Sequence, residues 1–279
     1  MLQPRAFDGS KKDVLKSVAN FRNALDQTIA AVAFTRQGET VSGKFKPVEE
    51  AKQVTVAFFD TEDFRLRESN YVFRQRQPIG GGPLELTLKF RHPVRFLASD
   101  RKAGGQQSKF EEDVKATRAH AFISLHSLSS KVEDVDASTK FDSLRDLREF
   151  FRPLNKQLGD SYEAGIKLHK VGEFTARQTV LEGVEFPIGA GICAECALVI
   201  WHLDGGSKRE PEVVEYSFRY RDKELGAKQE PFTAEMAQRC FAILQALREN
   251  TLLTDWVDLT GPTKTAYVYS LENGPGHAT

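Results

Sequence analysis

The chain has 279 residues, 40% hydrophobic and 28% charged, an ordinary globular composition that argues against general disorder and suffices for one large domain or two small ones. Lysine plus arginine and aspartate plus glutamate both number 39, so the formal charge is zero. This excludes a bulk electrostatic pull toward nucleic acid or an anionic membrane, and any anion site must be a local cluster.

The first segment, MLQPRAFDGSKKDV, lacks an apolar signal core, and no run approaches the roughly 20 apolar residues that span a bilayer. The expectation is a soluble, cytoplasmic protein with no membrane partner and no nucleic-acid partner. After Ser10, the spacing of Val14, Val18, Phe21 and Leu25 predicts a helix. Strands follow at 54–59, 71–77 and 84–91. In the last of these Leu84, Leu86, Leu88 and Phe90 alternate with Glu85, Thr87, Lys89 and Arg91, so one face is apolar and the other charged. QPIGGGPLE fits a hairpin tip and KAGGQQ a loop.

The alternation returns at 109–114, with Phe110 and Val114 opposite Lys109, Glu111 and Asp113. The stretch 127–162 is read as separating two halves of one fold, with a helix from Phe141 to Phe151 ending near Pro153. Strands are expected at 164–171, 176–181, 196–203 and 213–220, about eight in all, and a helix begins after the N-cap Thr233. Amphipathic helices need an apolar sheet face to cover. The fold class is therefore α+β, mainly antiparallel β, with helices packed outside the sheet. The reading is one domain over 1–279, closed by a C-terminal helix and tail at 233–279.

Three motifs carry no weight. PIGAGICAECA matches G-x-G-x-x-A, but a dinucleotide fingerprint needs a strand-helix unit in a parallel sheet. Gly80 to Gly82 precede Pro83 and a strand, with no Gly-Lys-Ser/Thr, so they form no P-loop. Six histidines without G-x-S-x-G support no nucleophilic triad. Cys193, Cys196 and Cys240 are too few for a disulfide framework, and Cys193-x-x-Cys196 is half a zinc site at most, so structural thiols are expected.

Arg74 and Arg76 point the same way, as do Thr87 and Lys89, and as do Lys109, Glu111 and Asp113. The ordinary account is the solvated face of an antiparallel sheet. The alternative is a barrel with the charged side inward, where guanidinium and ammonium groups bind phosphate oxygens and carboxylates hold divalent cations.

FFDTEDFRLRESNYVFRQRQ resembles the YFDT…L…ALRIR segment of the CYTH superfamily, the triphosphate tunnel metalloenzymes. LELTLKF and SKFEEDV follow as that family's T-x-K and R-x-E-x-E strands do. GEFTARQTVLEGVEF, CALVIWHLD and VVEYSFRY are similar to its second half, so the resemblance spans about residues 54–220. It implies an eight-stranded antiparallel tunnel and divalent-metal-dependent action, with Mg²⁺ or Mn²⁺, on a triphosphate-containing small molecule, in the manner of inorganic or thiamine triphosphatases.

Carried over by position, the resemblance implies that Arg74, Arg76 and Lys89 bind phosphate and that Glu111, Asp113 and Glu215 ligate metal. Ser217 stands where a second acid is often found. Lys167 and Arg177 are the basic residues of the second half, with Lys109 and Arg219 also on the substrate side. Lys167 and Glu111 are the catalytic candidates. The family's opening E-x-E-x-K has only Met1, Gln3 and Arg5 to match it, so two carboxylates are absent and Arg5 alone keeps the basic position. The alternatives are a catalytically degenerate polyphosphate- or nucleotide-binding module, adenylate cyclase chemistry, and a purely structural sheet.

Overall fold

The computed structural model describes residues 1–32, 41–102, 104–118, 122–189, 192–205, 210–220 and 233–272. In chain order these form α1 (Lys11–Ala30), β1 (Ser42–Gly43), β2 (Lys52–Asp60), α2 (Arg65–Glu68), β3 (Tyr71–Pro78), β4 (Leu84–His92), α3 (Arg95–Ser99) and β5 (Gln107–Lys115). Then come β6 (Ile123–Val135), α4 (Leu144–Phe150), α5 (Leu154–Leu158), β7 (His169–Gly189), β8 (Ile192–Leu203), β9 (Val213–Arg219), α6 (Ala234–Glu249) and α7 (Lys264–Glu272).

Eight strands lie in the hydrogen-bonded order β5-β6-β4-β3-β2-β7-β8-β9, and β1 pairs with β7. The β2–β3, β3–β4, β4–β6, β5–β6 and β8–β9 pairs are antiparallel. The fold is α+β, as expected, although the eight strands are not the eight that were read. β6 takes up the first part of the expected separator at 127–162, to Val135. The expected strands at 164–171 and 176–181 are one strand that starts only at His169. PIGAGICAECA spans the end of β7 and the start of β8, and two residues between neighbouring strands leave no room for a nucleotide-binding helix. The chain divides into two compact units. One comprises 1–52, 116–121 and 178–261; the other comprises 53–115, 122–177 and 262–279.

In the second unit the apolar face of β4 does what alternation requires. Leu84, Leu86, Leu88 and Phe90 are buried against Leu144 and Leu147 of α4, Phe151, and Leu154 and Leu158 of α5. Phe73 of β3 joins them, edge-to-face with Phe141 and Phe151. Gly80, Gly81 and Gly82 all have positive φ, +98, +97 and +124°, which explains why three glycines form the β3–β4 hairpin tip.

In the first unit α1 starts at a capping box. Ser10 Oγ accepts from the Asp13 amide at 3.3 Å, and Asp13 Oδ2 accepts from the Ser10 amide at 2.9 Å. Val18, Phe21, Leu25 and Ile29 of α1 pack with Met236, Cys240 and Ile243 of α6 against Ile192, Ala194, Cys196, Leu198 and Ile200 of β8. The α6 N-cap is Thr233, whose Oγ1 accepts from the Met236 amide. Cys196 and Cys240 are buried, and burial pushes both thiols up to about 12, so they behave as small apolar side chains.

Candidate functional site

The FFDT segment, residues 58–61, leads into a turn. Asp60 is fully buried at the end of β2. Its Oδ1 accepts from the amides of Thr61 (2.8 Å) and Leu66 (2.9 Å), and Oδ2 accepts from the Arg67 amide (3.1 Å) and the Tyr269 hydroxyl (2.7 Å). Thr61 Oγ1 accepts from the Arg65 amide at 2.9 Å. These bonds satisfy the first N–H groups of α2, which a four-residue helix cannot satisfy internally. Burial pushes the Asp60 carboxyl up, and its four donors offset this only in part.

Past this turn, β3, β4, β6 and β5 carry the charged face in register. Arg74 lies opposite Thr87, and Thr87 opposite Lys131. The next row joins Lys89, Ser129 and Lys109; the following one joins Arg91, Ser127 and Glu111. Directly paired residues share a face of the sheet, so Arg74, Thr87, Lys89, Arg91, Ser127, Ser129, Lys131, Lys109 and Glu111 lie on one side. Arg76 and Glu85 pair at one end of it, and Asp113 lies two residues beyond Glu111.

Two ion-pair groups hold this face. In one, Lys89 Nζ lies 3.0 Å from Asp113 Oδ2 and 3.7 Å from Glu111, while Arg91 Nη2 reaches the same Asp113 oxygen at 3.0 Å. Burial alone would push the Asp113 carboxyl up, but the Lys89 ammonium and Arg91 guanidinium outweigh it and hold the group below the usual carboxylate value. Burial, with Arg91 nearby, draws the Lys89 ammonium down despite Asp113 and Glu111. In the other group Glu85 bridges Arg76 and Lys131, each at 3.0 Å. Ser127 is fully buried, and its Oγ has no hydrogen-bond partner among the described residues.

The structure therefore brings together Arg74, Arg76, Lys89, Lys109, Glu111 and Asp113 on one strand face. Arg91, Lys131, Glu85 and Ser127 belong with them and were not singled out. Arg91 shares the parity of Lys89 in LKFR, a signal present in the sequence; the β6 residues were hidden because HSLSSKVED has no clear apolar alternation. On β2 the same face is apolar. Val56 pairs with Arg76 and Phe58 with Arg74, and both are buried.

The other candidates are on other segments of the chain. Arg5 is exposed in a 3₁₀ turn at Pro4–Phe7, and the preceding chain makes only isolated bridges, from Leu2 to Val214 and Val257. Met1, Gln3 and Arg5, which were matched to the family's opening E-x-E-x-K, therefore form no strand here, because Pro4 at the start of the turn supplies no N–H to a ladder. Lys167 is exposed ahead of β7 and bridges Ser143, the residue before α4. Arg177 has the parity of Thr175, which lines a cleft with Thr55, Gln75 and Gln77 on the side opposite Arg74 and Arg76. Glu215 and Arg219 are on β9, in the first unit; Glu215 pairs with Val199, and Arg219 reaches Glu195 at 3.0 Å.

Among the described residues, no group of three or more His, Cys, Asp or Glu side chains is placed to hold a metal ion. Glu111 and Asp113 offer two carboxylates on one face. That is too few for a dedicated cage, but it matches the complement Mg²⁺ takes from protein when phosphate oxygens and water supply the rest. No described helix is long and apolar enough to cross a membrane.

No family model matches the chain, and no curated protein matches it. Among solved structures it is similar to HpAC1 from Hippeastrum, a proposed adenylyl cyclase with a dominant triphosphatase activity. The identity is 14% over 79% of this chain and 83% of that one, with a TM-score of 0.45. At that distance the site has to be read from this chain's own residues.

Proposed function

We propose that this chain binds a triphosphate-containing small molecule, carried as its Mg²⁺ or Mn²⁺ complex, on the charged face of β3, β4, β6 and β5, and hydrolyses its terminal anhydride. The observation that supports this most is the concentration of Arg74, Arg76, Lys89, Arg91, Lys109 and Lys131 on one side of four adjacent strands in a chain of zero formal charge. Guanidinium forks and ammonium groups are the natural partners of phosphate oxygens.

In this reading Arg74, Arg76 and Lys89 grip the polyphosphate, and Glu111 and Asp113 would complete the coordination of the incoming metal complex. Bound metal neutralises charge that develops on the phosphoryl oxygens. Glu111, at the exposed end of its row, orients the attacking water. Because Lys89 and Arg91 are held by Asp113 and Glu111 before ligand arrives, they are positioned in advance, which lowers the ordering cost of binding.

A second reading, a binding module without turnover, is favoured by the same ion pairs, which already occupy both carboxylates, and by the missing acids at Met1 and Gln3. Phosphate release from tripolyphosphate, thiamine triphosphate and ATP, with Mg²⁺, Mn²⁺ or chelator, separates the two. Metal-dependent release that Glu111→Gln abolishes supports hydrolysis; tight binding without release, or release of a cyclic nucleotide from ATP, contradicts it.

A further inference from the structure

The connection after β4 carries an apolar group that the charged face does not use. In HPVRFLASDRK, residues 92–102, Val94, Phe96 and Leu97 are 46%, 80% and 47% exposed, and Pro93 before them and Arg95 among them are exposed as well. The segment is nonetheless firmly held. Ala98 is fully buried in the core under β4, and the Arg101 guanidinium sits 4.4 Å above the Phe90 ring. The His92 ring nitrogen Nδ1 accepts from the Val94 amide at 2.9 Å. This held segment thus presents three large apolar side chains outward within four residues, an arrangement that costs solvation unless something covers it.

The surroundings of this tip are cationic. Within residues 92–102, Arg95, Arg101 and Lys102 stand against Asp100 alone. Gln157 of α5 donates its amide to the Lys102 carbonyl at 2.9 Å, and an added Cβ at Gly104 would lie 2.6 Å from Pro153, so the segment 152–157, with its exposed Arg152 and Lys156, runs beside this connection. An outward aromatic and two aliphatic side chains ringed by lysine and arginine suit a surface that is apolar at depth and anionic at its boundary.

We propose that the Val94–Leu97 tip is a peripheral membrane contact, in which Phe96 and Leu97 enter the acyl boundary of an anionic leaflet while the exposed Arg95, Lys102, Arg152 and Lys156 meet lipid phosphates. This departs from the expectation of no membrane partner, which rested on the zero formal charge and on the lack of a spanning segment. Large exposed apolar side chains with exposed basic residues beside them in sequence suit an anionic lipid surface.

The test is sedimentation of the full chain with vesicles of phosphatidylcholine alone and of phosphatidylcholine mixed with phosphatidylserine. The expected result is binding to the mixed vesicles only, weakened by salt. Both Phe96→Ser/Leu97→Ser and Arg95→Glu/Lys102→Glu should weaken it by about tenfold or more, with unchanged melting temperatures because these side chains are exposed. Three outcomes would overturn the proposal: no binding to mixed vesicles, equal binding by wild type and both variants, or light scattering showing a wild-type dimer that Phe96→Ser/Leu97→Ser makes monomeric. The last would assign the tip to contact between copies of this chain.

Discussion

Tyr269 of α7 donates its hydroxyl to Asp60 at the end of β2 across 2.7 Å of buried space, and the Arg67 guanidinium lies 4.8 Å over the same ring. One residue near the end of the described chain thereby completes the turn that leads from β2 into β3. Glu272, three residues on, accepts from the Gly172 amide at 2.7 Å. Gly172 has φ +64°, and a Cβ there would lie 2.9 Å from Leu271, so glycine is required by both conformation and space.

Tyr269→Phe should cost roughly 1–3 kcal/mol, since it leaves a buried acceptor one donor short. The loss should depend on pH. The Asp60 carboxyl titrates above its ordinary value in the folded state, so the fold holds this proton more tightly than the unfolded chain does. Its contribution is fully present at low pH and declines as pH rises through the raised value. Urea unfolding should therefore show a larger deficit for the variant at neutral pH than at acid pH; an equal deficit at both would exclude the carboxylate as its source.

Leu86→Ala removes a fully buried side chain from beneath α4 and α5, and a loss of about 2–5 kcal/mol is expected from thermal or urea unfolding. A loss under about 1 kcal/mol would mean that the β4 face is not packed as described.

The Asp113 carboxyl is held low by Lys89 and Arg91 against the effect of its burial. Lys89→Met should raise its midpoint in a carboxyl-carbon NMR titration. For a lowered carboxyl, stability is present above the unfolded value and lost as pH falls through the folded one, so wild type and variant should converge in stability at acid pH. An unmoved midpoint would show that Lys89 and Asp113 do not interact in solution.

Ser127→Ala deletes a hydroxyl that has no partner among the described residues. Stability should change by less than about 0.5 kcal/mol or rise, because no hydrogen bond is lost. A loss above about 1 kcal/mol in urea unfolding would show that the hydroxyl has a partner in solution.

Much of this was legible in the chain, for reasons that differ by element. β4 could be read to within a residue because one face is buried and one is charged, so Leu84 to Arg91 alternate without a break. α1 and α6 announced themselves through Ser10 and Thr233 and through stripes that a single sheet face covers. β6 was invisible because serines occupy both of its faces: Ser127 and Ser129 lie on the charged one, Ser130 on the other. In β7 the left-handed pair Gly172 and Glu173, with φ of +64 and +48°, interrupts the alternation near its start. For that reason the side taken by Arg177, and the position of Lys167 ahead of the strand, could not be extrapolated. α7 carries only two buried residues, Val268 and Tyr269, adjacent in sequence, and so shows no stripe. The site followed the same pattern: its β3, β4 and β5 residues were readable by parity, and its β6 members were not.

The most direct measurement is calorimetric titration of tripolyphosphate into the wild-type chain and into Arg74→Ala/Arg76→Ala, with Mg²⁺ and with chelator. Hydrogen bonds to charged groups contribute about 1.5–3 kcal/mol each, so the account predicts measurable wild-type binding and at least a tenfold loss in the variant, with its fold intact. Equal affinity in both chains, or no binding by the wild type under either condition, would contradict the claim that this face is a triphosphate site.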